Sequence, residues 1–274
     1  GAPLGSIAGA FLVKALVGSL GPVPMLLIAA GVFASVIPLF LWMERRAAGR
    51  GAEGAAPAQA APAPEKGVLK TILTSPFLIA LTALVALERL VPDITNYLYS
   101  VVASQSFAGD PKGLAAFFAD INLWTSLASF GVSAILVGLT IKKLGVGGAL
   151  MTAGAVNMFL FAFFPFAPSL ALVGLFFGLD GVTRYTWFKT AKETTYSATD
   201  KDAIYRVKAF VEMFVYRFAR GLAGFLLLLV GWRGGGATGA AWRGLPLAAL
   251  WILSAWRVGR EHAKLDAAKK AAGR

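Results

Sequence analysis

Five basic residues lie inside otherwise apolar stretches of the sequence: Lys14, Arg89, Arg184, Arg217 and Arg220. A charge near the centre of a membrane costs about 2.5–3.5 kcal/mol on insertion scales, so such residues usually face a cavity or a charged partner. Four of the five are arginines, whose planar guanidinium groups bind carboxylate or phosphate oxygens through two parallel hydrogen bonds. The set therefore predicts an anion-binding site, to which Lys14 adds a cation from the first apolar stretch.

Nearby carboxylates allow a second interpretation of these charges. Asp180 and Arg184 are four residues apart, a spacing that lets the two side chains pair on a helix. Arg217 and Arg220 share one helix face, and Glu212 precedes them. The charges are therefore either ion pairs that hold helices together, or a cationic site whose arginines outnumber the local carboxylates, so that an anionic ligand offsets the difference. The sequence leaves both hypotheses open.

A third group of polar residues is expected toward the outer side of the membrane. Arg89 and Asp93 have pairing spacing, and together with Glu88 they predict a gate or a structural pair. Asp120 and Asn122 lie about 9–12 Å into the next apolar stretch by helical rise, where either would line an outer vestibule. A carboxylate that faces such a cavity can also relay protons, but nothing in the sequence selects that role.

The composition indicates an integral membrane protein. Hydrophobic residues make up 57% of the 274 residues, charged residues make up 15%, and the mean hydropathy is +0.69. Soluble domains have about 45–50% apolar and about 25% charged residues. The net charge of +12 would suit nucleic acid if it lay on a polar surface, but the Lys and Arg residues fall mainly in short gaps between apolar stretches. The expected partner is therefore the lipid bilayer and not nucleic acid.

Enzyme chemistry and cofactor binding have little support in the sequence. The chain contains no Cys, which excludes disulfides and thiolate metal sites. Its single histidine, His262, lies in a charged tail. The glycine-rich stretches 145–148 and 234–236 lack the Lys-Ser/Thr ending of a phosphate-binding loop. No catalytic residue, metal or cofactor is predicted.

Eight apolar stretches are long enough to predict membrane spans at about 20 residues each. They cover residues 1–20, 23–43, 69–104, 114–141, 145–166, 169–189, 204–232 and 244–258. The third is too long for one straight crossing, and a break is predicted near Pro92. Residues 44–68 are rich in Ala, Pro and Gly and predict a mobile cytoplasmic linker. Residues 259–274 form a basic tail.

The distribution of basic residues predicts the topology. With both termini in the cytoplasm, only Lys112, Arg233 and Arg243 fall on the outer side, and the other basic residues outside the spans are cytoplasmic. The expected location is the cell inner membrane, with several crossings. The chain begins with Gly1 instead of Met, and no basic segment precedes the first span, so the chain is expected to be cut at its N-terminus and not to begin with a signal peptide.

Residues 184–224 resemble the ATP:ADP antiporter family, the nucleotide translocases of the major facilitator type. They read RYTWFKTAKETTYSATDKDAIYRVKAFVEMFVYRFARGLAG. Residues that match the family pattern in order are Lys192, Glu193, Tyr196, Lys208 and Arg217. Further similarity to this family lies in the pair Phe117-Phe118 and in residues 142–146. The glycines at positions 1, 5 and 9 resemble the glycine-spaced fifth-helix motif of facilitator antiporters, with Ser6 where a proline is usual.

The resemblance implies an all-α bundle of the major facilitator type, with the last two helices of the N-terminal half in 1–43 and a six-helix C-terminal half in 69–258. It implies secondary active transport of an anionic solute, with nucleotide as the first candidate, by alternating access. Residues 96–100 depart from the family's Asp-Tyr-x-Phe-Lys stretch, which leaves the substrate open. The alternatives are a facilitator of an unrelated metabolite or drug and a non-transporting membrane module. The residues predicted to bind substrate are Arg217, Arg220, Arg184, Asp180, Lys192, Glu193 and Lys14.

Overall fold

The computed structural model describes residues 2–48, 67–196 and 207–271, and within these ranges every regular element is a helix. The helices are α1 (Ala2–Leu20), α2 (Pro22–Ala48), α3 (Val68–Thr74), α4 (Pro76–Ser106), α5 (Pro111–Ile135), α6 (Val137–Phe163), α7 (Leu170–Thr183), α8 (Lys189–Tyr196), α9 (Val207–Trp232) and α10 (Gly236–Ala271). The all-α class predicted from the sequence is confirmed for these ranges. The predicted linker falls mainly on residues 49–66, outside the described residues.

Several of these helices are able to cross a membrane. By length and apolar composition, Pro22–Arg46, Val137–Phe163 and Val207–Trp232 qualify, and the bent pair α3–α4 would be a fourth span. The second helix exposes large apolar side chains such as Leu27 and Phe33, as a membrane-contacting surface does. The chain is therefore a helical protein with several candidate membrane spans, and the count of eight crossings remains a prediction.

The third predicted span breaks at a different residue from the one expected. Pro92 lies buried inside α4 without ending it, and the break falls at Ser75, where α3 and α4 meet at 107°. Ser75 caps α4 because its hydroxyl accepts the N–H of Leu78 (3.4 Å), and Pro76 lies in the first turn, where no helical hydrogen bond is lost. Packing of α4 against its neighbours keeps the helix intact despite the single hydrogen bond that Pro92 removes.

Two other helices are longer than their predicted spans. The sixth predicted span ends at Lys189, but α7 continues through a π-helical turn at Arg184–Phe188 into α8. The last helix, α10, extends well beyond 244–258 at both ends. Its polar end carries ion pairs at helical spacing, such as Lys264 with Glu261 (2.6 Å). Apolar length alone therefore underestimates helices that continue into polar sequence.

A kink at Gly145 divides α6. The φ of Gly145 is 68°, which lies in the left-handed region that glycine adopts without strain. This position is also the start of the fifth predicted span. The turn expected there is therefore present as a kink between two helical pieces, and the first piece carries Lys142 and Lys143.

The core of the fold is the packing of α10 against α6 and α4. Gly147 of α6 and Gly259 of α10 bring the two backbones together, so that a Cβ on Gly259 would lie 2.4 Å from the Cα of Gly147. Trp251 of α10 is fully buried, and its ring packs edge-on against Phe188. Small residues permit such close approach between helices in membranes, where a hydrophobic driving force between helices is missing.

Substitution of Gly259 by alanine should lower the thermal stability of the purified protein in detergent. The new methyl group would meet backbone instead of a movable side chain, so α6 and α10 must separate, and overpacking of this kind costs about 1–3 kcal/mol. The matched control is Gly138→Ala, because Gly138 is exposed and has open space around it. Equal melting temperatures for the two variants would contradict the close contact.

Candidate functional site

A chain of hydrogen-bonded side chains crosses the interior from α4 through α6 to α7. The hydroxyl of Thr95 donates to Asn157 Oδ1, and Asn157 Nδ2 donates to Asp180 Oδ1 (2.6 Å). Arg184 Nη2 lies 2.9 Å from Asp180 Oδ2, so the pair predicted from the i,i+4 spacing is confirmed. Asp180 is only 1% exposed, and its carboxylate is satisfied by protein groups.

The π-helical turn at Arg184–Phe188 positions the cationic end of this chain. Immediately before it, the hydroxyl of Thr183 donates to the carbonyl of Asp180 (3.1 Å), which holds the last α-helical turn. A second π-helical turn, Val211–Val215, lies in α9. Such turns are rare and are often found at functional sites.

An ion pair between α4 and α8 lies beside this chain. Lys192 Nζ donates to both carboxylate oxygens of Glu88, at 2.7 and 2.9 Å, and each side chain is 13% exposed. The pair places Glu88 level with Lys192, and Glu88 lies about 18 Å along α4 by helical rise because α4 begins at Pro76.

Asp93 joins α4 to α9. The predicted pair of Arg89 with Asp93 is confirmed at 3.3 Å, and Arg220 Nε lies 3.7 Å from the other oxygen of Asp93. The Arg89 guanidinium also lies over the ring of Tyr216, 5.0 Å from its centroid. Arg220 therefore has a carboxylate nearby that the sequence interpretation, which counted only Asp180 and Glu212, did not assign to it.

Glu193 of α8 and Lys14 of α1 were also predicted to bind substrate, and each pairs with a side chain of opposite charge. Glu193 pairs with Lys208 (2.8 Å). Lys14 pairs with Asp120 of α5 (2.6 Å), and these side chains are half exposed. Lys14 is therefore not the additional unpaired cation that was expected, because the docking of α1 on α5 brings a carboxylate to it.

Arg217 differs from the other predicted cations. Its side chain is exposed, and it has no ion pair among the residues that the structure describes. One turn further along the same helix face, Arg220 is 65% exposed at its side chain. The two arginines thus present cationic groups on one face of α9, as the i,i+3 spacing predicted.

Three neighbouring sets of ion pairs lie on α4, on the helix from α7 through α8, and on α9, and we refer to their seven charged residues as the charge cluster. They are Glu88, Arg89, Asp93, Asp180, Arg184, Lys192 and Arg220. The charge cluster contains four cations and three carboxylates, and Arg217 adds a further cation beside Arg220.

Thr95 and Asn157, the neutral members of the chain of hydrogen-bonded side chains, were not predicted from the sequence. The signal that could have indicated them is that they are polar residues within apolar stretches.

A groove of about 740 Å³ lies between α1, α5 and the π-helical turn of Arg184–Phe188. Residues that line it are Ser6, Gly9, Ala10, Val13, Ala115, Phe118, Ala119, Asn122, Thr125, Ser126, Ser129, Tyr185 and Lys189. The residues predicted to bind substrate are not among them. Lys189 was predicted only as the last residue of the sixth span, but it continues the helix one turn after Tyr185, and that spacing was the available signal.

The fold and the charge cluster define the class of this protein as an all-helical, multi-pass membrane protein with ionisable side chains between its helices. No protein-family model matches the chain, and neither the curated proteins nor the solved structures give a significant match. The resemblance to nucleotide translocases therefore stays a prediction.

Proposed function

We propose that this protein is a secondary transporter that moves an anionic solute across the membrane by alternating access. The observation that carries the proposal is the charge cluster, which lies between the helices of a bundle whose outer surface is largely apolar. Ionisable residues are costly inside a membrane, and they commonly mark substrate or ion pathways there.

The balance of charge favours an anion as the solute. Arg89 and Arg220 share the single carboxylate of Asp93, whereas Asp180–Arg184 and Glu88–Lys192 are one-to-one pairs. In the described part of the chain, the charge cluster has one cation in excess; the exposed Arg217 and Glu212 of α9 add one charge of each sign, so the excess stays at one cation. A bound carboxylate or phosphate would offset these charges, and the guanidinium geometry of Arg217 and Arg220 suits both groups.

The contact between α1 and α5 supports movement of two parts against each other. The first helix precedes residues 49–66 and the fifth follows them, and the two helices are joined by the half-exposed pair Lys14–Asp120. Transporters built from two repeats bind their substrates where the repeats meet, and one repeat moves against the other. Nucleotide exchange, cytoplasmic termini and an inner-membrane location belong to this proposal and rest on the sequence.

Arg217→Gln should reduce uptake of a radiolabelled anion about tenfold or more in liposomes that contain the protein. ATP, ADP and phosphate would be offered separately. Arg217→Lys should recover only part of the uptake, because an ammonium group lacks the guanidinium fork.

The matched control for this experiment is Arg233→Gln, which removes an exposed arginine at the far end of α9 and should leave uptake unchanged. Unchanged uptake by Arg217→Gln would contradict the proposed role of α9. A folded wild-type protein that transports none of the offered anions would favour the non-transporting membrane module.

A further inference from the structure

A second groove lies between the start of α4 and residues 250–264 of α10, and we refer to it as the α4–α10 groove. Its volume is about 630 Å³, which is within the range of sites for organic molecules. The two helices run antiparallel, because the end of α4 and the start of α10 line a separate pocket. The α4–α10 groove therefore lies at the end of the bundle where α4 begins.

The lining of this groove changes from apolar to cationic along its length. Ile79 of α4 and Leu250 and Leu253 of α10 form the apolar part, and all three side chains are exposed. Arg257 and Arg260 continue the same stripe of α10 at helical spacing. Water satisfies an exposed cation or carboxylate on its own, but it does not satisfy exposed leucines. A groove that joins both parts matches an amphiphilic molecule with an apolar body and an anionic head.

The cationic part of the groove carries a net positive charge. Lys264 also lines it and pairs with Glu261 (2.6 Å), the single carboxylate among the described lining residues, so Arg257 and Arg260 set the net charge. The guanidinium of Arg260 lies over the ring of Trp256, 4.7 Å from its centroid. Tryptophan is enriched at the level of lipid headgroups, and guanidinium groups bind phosphate oxygens through two parallel hydrogen bonds.

The length of the groove corresponds to one leaflet of a bilayer. Leu250 and Arg260 are ten residues apart on α10, which is about 15 Å by helical rise. The hydrocarbon core of a bilayer is about 30 Å thick, so one leaflet contributes about 15 Å. An acyl chain that lies along the leucines therefore places its headgroup beside the arginines.

The bend between α3 and α4 indicates a membrane surface at the same end of the bundle. The two helices meet at 107° at Ser75, and the next residue, Pro76, lines the groove. With α4 across the membrane, α3 lies nearly parallel to the membrane surface. Its Leu69 and Leu73 are exposed one turn apart, as apolar side chains are in helices that lie on a bilayer.

We propose that the α4–α10 groove binds one anionic phospholipid from the leaflet at this end of the bundle. The phosphate would bind Arg257 and Arg260, and the acyl chains would lie along Ile79, Leu250 and Leu253. The basic residues predict that this end faces the cytoplasm, where the leaflet is rich in anionic lipids. The proposal does not depend on the proposed transport, because the groove shares no residue with the charge cluster.

Native mass spectrometry of the purified protein in detergent tests the proposal, with dioleoyl phosphatidylglycerol as the probe. We expect saturable binding of one phosphatidylglycerol molecule. Dioleoyl phosphatidylcholine has the same chains but no net charge, and it should bind about tenfold more weakly or less. Glycerol phosphate and inorganic phosphate should not displace the lipid, because they lack acyl chains.

The double variant Arg257→Gln with Arg260→Gln should weaken phosphatidylglycerol binding about tenfold or more. The matched control is Arg45→Gln with Arg46→Gln, which removes two exposed arginines from the last turn of α2. Arg46 lies over the ring of Trp42 at 4.2 Å, as Arg260 lies over its tryptophan, but neither control arginine lines the groove. The control should therefore retain the binding of wild type.

Ala83→Phe tests the apolar part of the groove without a change of charge. Ala83 lines the groove, so the larger side chain would occupy the space of an acyl chain and should weaken binding. Melting temperatures without added lipid identify the variants that are folded. If the double arginine variant does not fold, Arg257→Gln and Arg260→Gln are tested singly, and each should still weaken binding.

Four results would overturn the proposal. They are no saturable binding of phosphatidylglycerol by wild type, equal binding of phosphatidylcholine, displacement of the lipid by glycerol phosphate or inorganic phosphate, and binding by the folded arginine variants equal to that of the α2 control. The second result would indicate an apolar surface without headgroup selection, and the third a site for free phosphate. Equal losses in the arginine variants and the α2 control would indicate attraction by net charge alone.

Discussion

Asp180→Asn should destabilise the protein by about 3–5 kcal/mol, because removal of one partner from a buried ion pair leaves the other charge uncompensated. Arg184 would remain among the helices with its cation unpaired, and its Nε already lacks a hydrogen-bond partner. The side chain of Asn157 would also lose a charged acceptor at 2.6 Å. We expect a large fall in the melting temperature in detergent, measured by intrinsic tryptophan fluorescence.

A double substitution tests whether Asp180→Asn destabilises the protein by leaving Arg184 unpaired or by removing the carboxylate itself. Replacement of a buried ion pair by apolar residues is often neutral or stabilising, so Asp180→Leu with Arg184→Leu should recover much of the stability that Asp180→Asn loses. The control is Asp266→Asn, which removes a half-exposed carboxylate paired with Lys270 and should cost at most about 1 kcal/mol. A melting temperature for Asp180→Asn equal to that of wild type would refute the buried pair.

The same double variant bears on the role of the pair in transport. Asp180 and Arg184 were predicted to bind substrate, but they pair with each other inside the bundle. If the double variant folds and still supports anion uptake, the role of the pair is structural: it holds α7 in place. A double variant that folds without uptake would support a direct role of this pair in the pathway.

Local features of the fold could be predicted from the sequence. Apolar stretches predicted helices, and the i,i+4 spacing predicted the pairs Asp180–Arg184 and Arg89–Asp93, because both partners lie on one helix. Helix boundaries were less predictable, since hydropathy does not distinguish a capped break at Ser75 from a proline inside a packed helix.

Contacts between helices could not be predicted in the same way. Glu88 and Lys192 are 104 positions apart, and no periodicity in either segment specifies that they meet. The pairing of Lys14 with Asp120 likewise requires α1 to dock on α5 in one register. The groove also forms only when α1 docks on α5, so the sequence shows its polar lining residues at scattered positions and does not indicate that they share one site.

Lys192→Glu should strongly destabilise the protein, because it places two carboxylates where a largely buried ion pair now joins α8 to α4. The ammonium of Lys192 contacts both oxygens of Glu88, so the reversal turns two short favourable contacts into repulsion. We expect a loss of about 3 kcal/mol or more. The comparison is Lys208→Glu, which reverses the more exposed pair with Glu193 and should cost far less.

The exchanged variant, Glu88→Lys with Lys192→Glu, decides between the structural and the substrate-binding role of Lys192. It restores opposite charges across the same contact, so most of the stability should return. Uptake in liposomes should return as well, because both oxygens of Glu88 already bind this ammonium and leave little of it to a solute. If stability recovers while uptake stays lost, the sign of charge at position 192 itself matters for the solute, and Lys192 belongs to the anion pathway as the sequence predicted.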